Sequence, residues 1–205
     1  MNPLLIRRRG MMARQHYDAE IQYLRSDGSG QYIDTLISYD STMIVDARIR
    51  RRTPGAGGYL FGLVAVFGGV INRWGINRGA NAEIRPHFGT VTNVTASFSL
   101  NAWHNIWANY KTLIVDTTTT TTAALPFNPQ TPVPLYLYAR DNSGSYAETF
   151  AECDIASFKI EKGGFVVRDY IPVRVGTVGY LYDRVSGQLF GNQGTGSFVL
   201  GPDIQ

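Results

Sequence analysis

Glu152 and Asp154 are the nearest thing in this chain to a hydrolytic pair. Two residues apart on a strand, they would project from one face about 6.5 Å apart, close to the spacing at which two carboxyl groups work on opposite sides of a glycosidic bond. Acids at i and i+2 are also ordinary on solvent-facing strands, and the chain is expected not to be an enzyme. His16, His87 and His104 are dispersed and lack metal-ligand spacing. His104, within Trp103-His-Asn-Ile-Trp107, reads as a structural or rim residue. The single cysteine, Cys153, excludes an intrachain disulfide and any Cys-rich zinc site, and is expected in the core. Gly55-Ala-Gly-Gly58 and Gly194-Thr-Gly196 lack the Lys and Ser/Thr of a phosphate loop and read as turns.

Binding chemistry is better represented than bond breaking. Arg73-Trp74, Asn77-Arg78 and Arg85-Pro86-His87, together with Tyr136, Tyr138, Arg140, Asp141 and Tyr146, bring aromatic rings close in sequence to hydrogen-bonding groups. Saccharides are held by such a mixture: rings against their C–H surfaces, and Asn, Asp or Arg on their hydroxyls. Arg73, Trp74, Arg78, Tyr136, Tyr138, Arg140, Asp141 and Tyr146 are therefore the candidate glycan-binding residues. Taken singly, Trp74, Trp103 and Trp107 fit core or cross-strand packing at least as well.

Such residues need strands to carry them, and the pattern is that of strands. Met43, Val45, Ala47 and Ile49 face one way while Asp46, Arg48 and Arg50 face the other. Tyr59 to Phe67 is almost continuously apolar, which fits a strand buried between layers or a hairpin around Gly62. Leu135, Leu137 and Ala139 alternate with Tyr136, Tyr138 and Arg140, followed by a turn at Asp141-Asn-Ser-Gly144. Arg184-Val-Ser-Gly187 and Asn192-Gln-Gly-Thr-Gly196 have the composition of hairpin connections. The threonines from Thr117 to Thr122 favour an extended strand or exposed loop, with the turn type at Asp116-Thr117 open. No helical period persists beyond a turn or two. The expected fold is all-β: two antiparallel sheets packed as a jelly-roll sandwich.

A chain of 205 residues makes one domain the default, here residues 20–205 behind an extended basic arm at 1–19. Charged residues make up only 17%, which suits a surface packed among partners or touching neutral sugars. The net charge is +3, from sixteen Arg and three Lys, with clusters at Arg7-Arg8-Arg9 and Arg48–Arg52. Arg in place of Lys favours bidentate contacts to carboxylate or phosphate, but no nucleic-acid-binding motif accompanies it, so nucleic acid is not an expected partner. Met1 to Ile6 precedes the first arginines, the reverse of an export signal, so none is expected. The longest apolar run, Tyr59 to Ile71, is broken by Gly62, Gly68 and Gly69, so no membrane span is expected.

Tyr23-Leu-Arg-Ser-Asp-Gly-Ser-Gly-Gln-Tyr-Ile-Asp-Thr35 near the start, and Arg168-Asp-Tyr-Ile-Pro-Val-Arg174, Tyr182-Asp183 and Gly191-Asn-Gln-Gly-Thr-Gly-Ser-Phe198 near the end, resemble a known family. It is the concanavalin A-like, laminin-G-like jelly-roll domain of gut Bacteroidota and their phages and prophages. The resemblance implies a virion structural protein, non-enzymatic, serving as a head fibre, decoration or tail-associated subunit. Arg7, Arg8, Arg9 and Arg14 would then dock the arm on other virion proteins, with homo-oligomers formed and host surface glycans contacted. The particle would be assembled in the bacterial cytoplasm. The alternative is a bacterial carbohydrate-binding module at the cell surface. Glucanases of this fold carry a further glutamate where Ala156 or Ser157 stands, which removes catalysis from the expectation. No cofactor is expected; Ca2+, held through Asp141 and Asn142 at one rim, is what laminin-G-like domains would add, although an Asx turn explains these two residues as well.

Overall fold

Side chains on a strand alternate between faces, so burial follows sequence parity wherever one face is covered. The computed structural model describes residues 16–54, 57–67, 69–79, 82–90, 95–123, 129 and 131–205. The chain opens with β1 (Ala19–Glu20), β2 (Leu24–Asp27), β3 (Ile33–Ser38) and β4 (Ile44–Arg51). In β4 the parity rule is plain: Val45, Ala47 and Ile49 are buried, while Asp46 and Arg48 are exposed and Arg50 half-exposed.

The middle of the chain supplies β5 (Tyr59–Phe67), β6 (Val70–Arg78), β7 (Glu83–Gly89) and β8 (Ala96–Ser97). Next come β9 (Trp103–Ala108), β10 (Thr112–Val115), β11 (Thr118–Thr121), β12 (Pro134–Leu137), β13 (Arg140–Asn142) and β14 (Ala147–Glu148). It ends with β15 (Glu152–Lys162), β16 (Phe165–Val175), β17 (Val178–Asp183), β18 (Gln188–Phe190) and β19 (Val199–Leu200).

The larger sheet runs β11-β10-β9-β4-β15-β16-β17-β18, with β1 beside β16 and β2 between β15 and β19. The smaller runs β14-β13-β5-β6-β7-β8, with β12 pairing both β3 and β5. All pairings are antiparallel except β13 on β5 and the isolated bridge from Tyr59 to Phe150. No described residue is helical, so the expected all-β sandwich is what forms. Between the layers, Phe61 of the smaller sheet meets Phe158 of the larger edge-to-face, with ring centroids 5.2 Å apart. Tyr39 and Phe61 pack on Trp74, their centroids 5.1 and 5.9 Å from its own. Each such fully buried aromatic or aliphatic side chain contributes roughly 1.5–3 kcal/mol over its exposed state.

Tyr59–Phe67 is one strand, not a hairpin around Gly62. The threonine run forms the edge strand β11, joined to β10 by a two-residue turn with Asp116 at φ 54°. Arg184–Gly187 makes the expected hairpin between β17 and β18, where Gly187 adopts φ 71°. The buried Asp183 carboxylate gathers that turn, accepting from the Val185 and Ser186 amides and the Ser186 hydroxyl.

Two expectations are corrected. Asn192–Gly196 joins no hairpin, because β18 pairs with β17 and β19 pairs with β2. Instead the Asn192 side chain accepts from the Tyr32 and Gly194 amides and folds the loop onto the start of the chain. A Cβ at Gly194 would collide with the Gly30 carbonyl oxygen, so the first and last motifs touch backbone to backbone. The strand expected from Leu135 to Arg140 is broken at Tyr138, whose φ of 67° lies in the left-handed region. The break ends β12, starts β13 and turns Tyr138 inward.

The sheet begins at Ala19, which pairs with Arg174, one residue before the boundary read from the sequence. Arg7, Arg8, Arg9 and Arg14 lie outside the described residues.

Candidate functional site

The outer face of the smaller sheet is built around two glycines. Gly62 of β5 lies opposite Gly75 of β6, and Gly75 lies opposite His87 of β7. The missing side chain at Gly62 makes room for the Tyr59 ring, which packs over it and is itself buried: a Cβ at Gly62 would come within 2.5 Å of Tyr59 Cδ1. Gly75, at φ 141°, has no space for a Cβ either, since it would meet the Phe61 carbonyl oxygen at 2.4 Å.

Around that ring stand polar side chains from four strands. The Tyr59 hydroxyl is hydrogen-bonded to His87 Nδ1 at 2.6 Å, and Arg140 Nη1 donates to the same hydroxyl at 3.4 Å. The Arg140 guanidinium also lies 5.2 Å from the Tyr59 ring centroid and donates through Nε and Nη2 to Glu148 Oε1. Arg73, opposite Val64 and Gly89, and Arg85, opposite Asn77, flank His87 on either side. The Nε of each is buried and makes no hydrogen bond, and neither arginine has an acidic partner among the described residues.

The electrostatics confirm that these charges converge. His87 is pushed down to about 4, first by burial and then by Arg73, Arg140 and Arg85. It is therefore neutral at pH 7, a hydrogen-bonding group and not a charge. Burial raises the Tyr59 hydroxyl, with Arg140 and Arg73 acting in the opposite direction. Of these three guanidinium groups only Arg140 has a carboxylate partner, Glu148, among the described residues. Such a cluster can hold an oxyanion or hydroxyl groups.

The residues expected from the sequence divide into two groups. Arg73, Arg140 and Tyr136 do gather here, Tyr136 opposite Gly62 and stacked on Tyr32 at 4.8 Å. The others do not. Trp74 is wholly buried on the inner face of β6, its Nε1 donating to the Asn109 carbonyl. Tyr138 is also wholly buried and donates to the Leu24 carbonyl, so neither ring is open to a sugar. Arg78 is spent on its own loop, bonding the Gly57 carbonyl and the Thr53 hydroxyl. Asp141 is sealed from solvent, accepts from the Gly144 amide and is raised to about 6 by burial, with a further push from Asp34. Tyr146 is exposed on the hairpin between β13 and β14, its hydroxyl taken by Asn142 Nδ2. Asp141 and Asn142 are engaged separately in this way, and no group of three or more His, Cys, Asp or Glu side chains suited to a cation occurs among the described residues.

Tyr59 and Glu148 were not foreseen. Tyr59 sits at the head of an apolar run with no polar alternation to mark its outward face. Its signal was the pair of strand-interior glycines, which mark close approach of another group.

The larger sheet's outer face carries a second set of arginines. Asp154, with no side-chain exposure, accepts from Arg25 on one oxygen and from Arg50 and Arg52 on the other, at 2.5 to 2.8 Å. Arg50 lies 5.0 Å from the Tyr23 ring centroid and 4.4 Å from that of Trp103. With its carboxylate held this way, Asp154 is not available to pair with Glu152 as an acid or base. Beside the clamp, Gln22, Arg48, Trp103, Ala156, Ser157 and Ile204 line an open hollow of about 360 Å³. His104 is structural, as expected: it joins Asp116 and Ser99 and packs on Phe98. Cys153 is buried, and burial raises its thiol.

No protein-family model matches this chain, and no curated protein matches it. Among solved structures, a candidate carbohydrate-binding protein from Bacteroides ovatus aligns over 91% of this chain and 61% of its own, at 11% identity and a TM-score of 0.55. The fold is shared. A mutant of Trypanosoma rangeli sialidase displaying trans-sialidase activity aligns over 58% of this chain and 20% of its own, at 15% identity and a TM-score of 0.43. The chain thus spans about three-fifths of one neighbour and a fifth of the other.

Proposed function

We propose that this chain is a non-catalytic carbohydrate-binding domain that holds a saccharide on the outer face of its smaller sheet. The observation that carries the reading is the group of half-buried Arg73, Arg85, His87 and Arg140 held together over the buried Tyr59 ring, with Arg73 and Arg85 lacking an acidic partner among the described residues. A half-buried guanidinium without a counter-charge costs stability, and an anion from outside the fold would offset that cost. The half-buried Tyr32 ring, packed at a tilt on the buried Tyr136, supplies an aromatic surface beside the cluster for sugar C–H groups. The likeness in fold to a candidate carbohydrate-binding protein is consistent with this use. The non-catalytic part of the reading is supported by Asp154, one member of the acid pair recognised in the sequence, being committed to three arginines.

The particle-borne role, with self-association and host contact, is what the family resemblance implies and has no support from the structural neighbours; its docking residues Arg7, Arg8, Arg9 and Arg14 lie outside the described residues. The carbohydrate reading is tested by a glycan array followed by calorimetry on the hits. Saturable binding that is lost in His87→Ala and kept in Trp103→Ala supports this face. Binding lost in Trp103→Ala and kept in His87→Ala would move the site to the larger sheet.

A further inference from the structure

We infer, resting on the reading above, that the saccharide is acidic, and that its carboxylate or sulfate group is received by Arg73 and Arg85 on either side of His87. Four observations converge on this. Neither arginine has an acidic partner among the described residues, and each has a buried Nε that makes no hydrogen bond. Of the carboxylates on this face, Glu148 is occupied by Nε and Nη2 of Arg140, while Glu83, two residues before Arg85, and Asp34, opposite Tyr136, form no ion pair with Arg73 or Arg85. The pairings of β6 and β7 set Arg73 and Arg85 four residue positions apart along the sheet, roughly 13 Å, with the His87–Gly75 pair midway. Long side chains approaching from both ends can therefore close on a small group above Gly75.

The residue type fits as well. A guanidinium presents parallel N–H donors that match the two oxygens of a carboxylate or the face of a sulfate, and it is less strongly hydrated than an ammonium. Hydroxyl groups would satisfy these donors but leave two half-buried cations uncompensated; an oxyanion satisfies both requirements. His87, neutral and bonded through Nδ1 to Tyr59, keeps its other ring nitrogen for a sugar hydroxyl or the same anion.

The test is calorimetry on the full chain with three matched oligosaccharide sets: neutral, uronic-acid-containing and sulfated. One acidic set is expected to bind about tenfold or more tightly than the neutral set, with affinity falling as salt rises. Whether the uronate or the sulfate arm responds identifies the anion. Arg73→Gln and Arg85→Gln should each erase the preference while Arg184→Gln, in an exposed pair with Asp169, leaves it intact. Should either site variant fail to fold, competition by inorganic sulfate or acetate against the bound acidic sugar, at constant ionic strength, reads the same site in the unaltered protein. Equal affinity for neutral and acidic sugars, or binding indifferent to salt and to both anions, overturns the inference and leaves the saccharide reading standing. If no set binds at all, the saccharide reading fails and the inference fails with it.

Discussion

The two outer faces each carry a cluster of three arginines, and the clusters reach opposite states. On the larger sheet, Arg25, Arg50 and Arg52 converge on Asp154; on the smaller, Arg73, Arg85 and Arg140 stand around His87, and only Arg140 is paired, with Glu148. In the first, Asp154 is central and fully buried, every arginine reaches it, and rings of Tyr23 and Trp103 cover the guanidinium of Arg50. In the second, Glu148 is peripheral and serves Arg140 alone. What separates a structural arginine from a binding one here is therefore not net charge but whether its own donors are satisfied within the fold.

Removing the hub of the first face should have the largest effect. Asp154→Ala leaves three converging cations without their common acceptor, at a cost of about 3 kcal/mol, the lower end for breaking a buried pair because the arginines keep some contact with water. Urea unfolding measures it. A loss below about 1 kcal/mol would mean the clamp is no more than an exposed ion pair, and the contrast between the faces would collapse.

Strand parity let much of this be read in advance, and its failures are instructive. Arg50 and Arg51 are neighbours in one basic cluster, yet parity sends Arg50 outward to Asp154 and Arg51 inward, where it bonds the Gly79 and Glu83 carbonyls. Parity failed at Tyr138 because a left-handed residue resets it, and nothing in the run from Leu135 to Arg140 marks the break. Trp74 was misjudged because aromatic identity suits a sugar platform and a core equally; only its pairing beside Leu63 and Phe88 decides. Arg73, Arg85, His87 and Arg140 were visible as types, but β13 lies parallel to β5 through a connection that the sequence does not reveal.

An acid titration sharpens the comparison next. His87 has its folded value near 4, below the 6.5 of an unfolded histidine, so between those limits the unfolded chain binds more protons. Stability from this group is complete above pH 6.5, declines as pH falls, and is fully lost once pH passes 4. Asp141 works in the opposite sense: its folded value near 6 exceeds 3.8, so it favours the fold at low pH and loses that advantage as pH rises through 6. The two partly cancel in the unaltered protein, so the informative quantity is the difference between it and His87→Gln. That difference should shift in favour of the variant by up to about 3 kcal/mol between pH 6.5 and 4. A difference independent of pH would mean that neither burial nor the neighbouring Arg73, Arg140 and Arg85 hold His87 below its ordinary value.

The smallest effect has the most telling sign. Arg73→Met keeps the length of the side chain and removes a half-buried cation that has no acid partner, so the free protein should become more stable, by about 1 kcal/mol. The equivalent change in the clamp, Arg50→Met, takes one of three donors from a buried carboxylate and should destabilise by a similar amount. Opposite signs for the same substitution on the two faces would show that one arginine is held for the fold and the other for something outside it. With a bound acidic saccharide the sign at Arg73 should reverse, because the ligand then stabilises only the form that retains the guanidinium. Thermal melts of both variants, with and without ligand, read all four values; a loss of stability in ligand-free Arg73→Met would place Arg73 among the structural arginines.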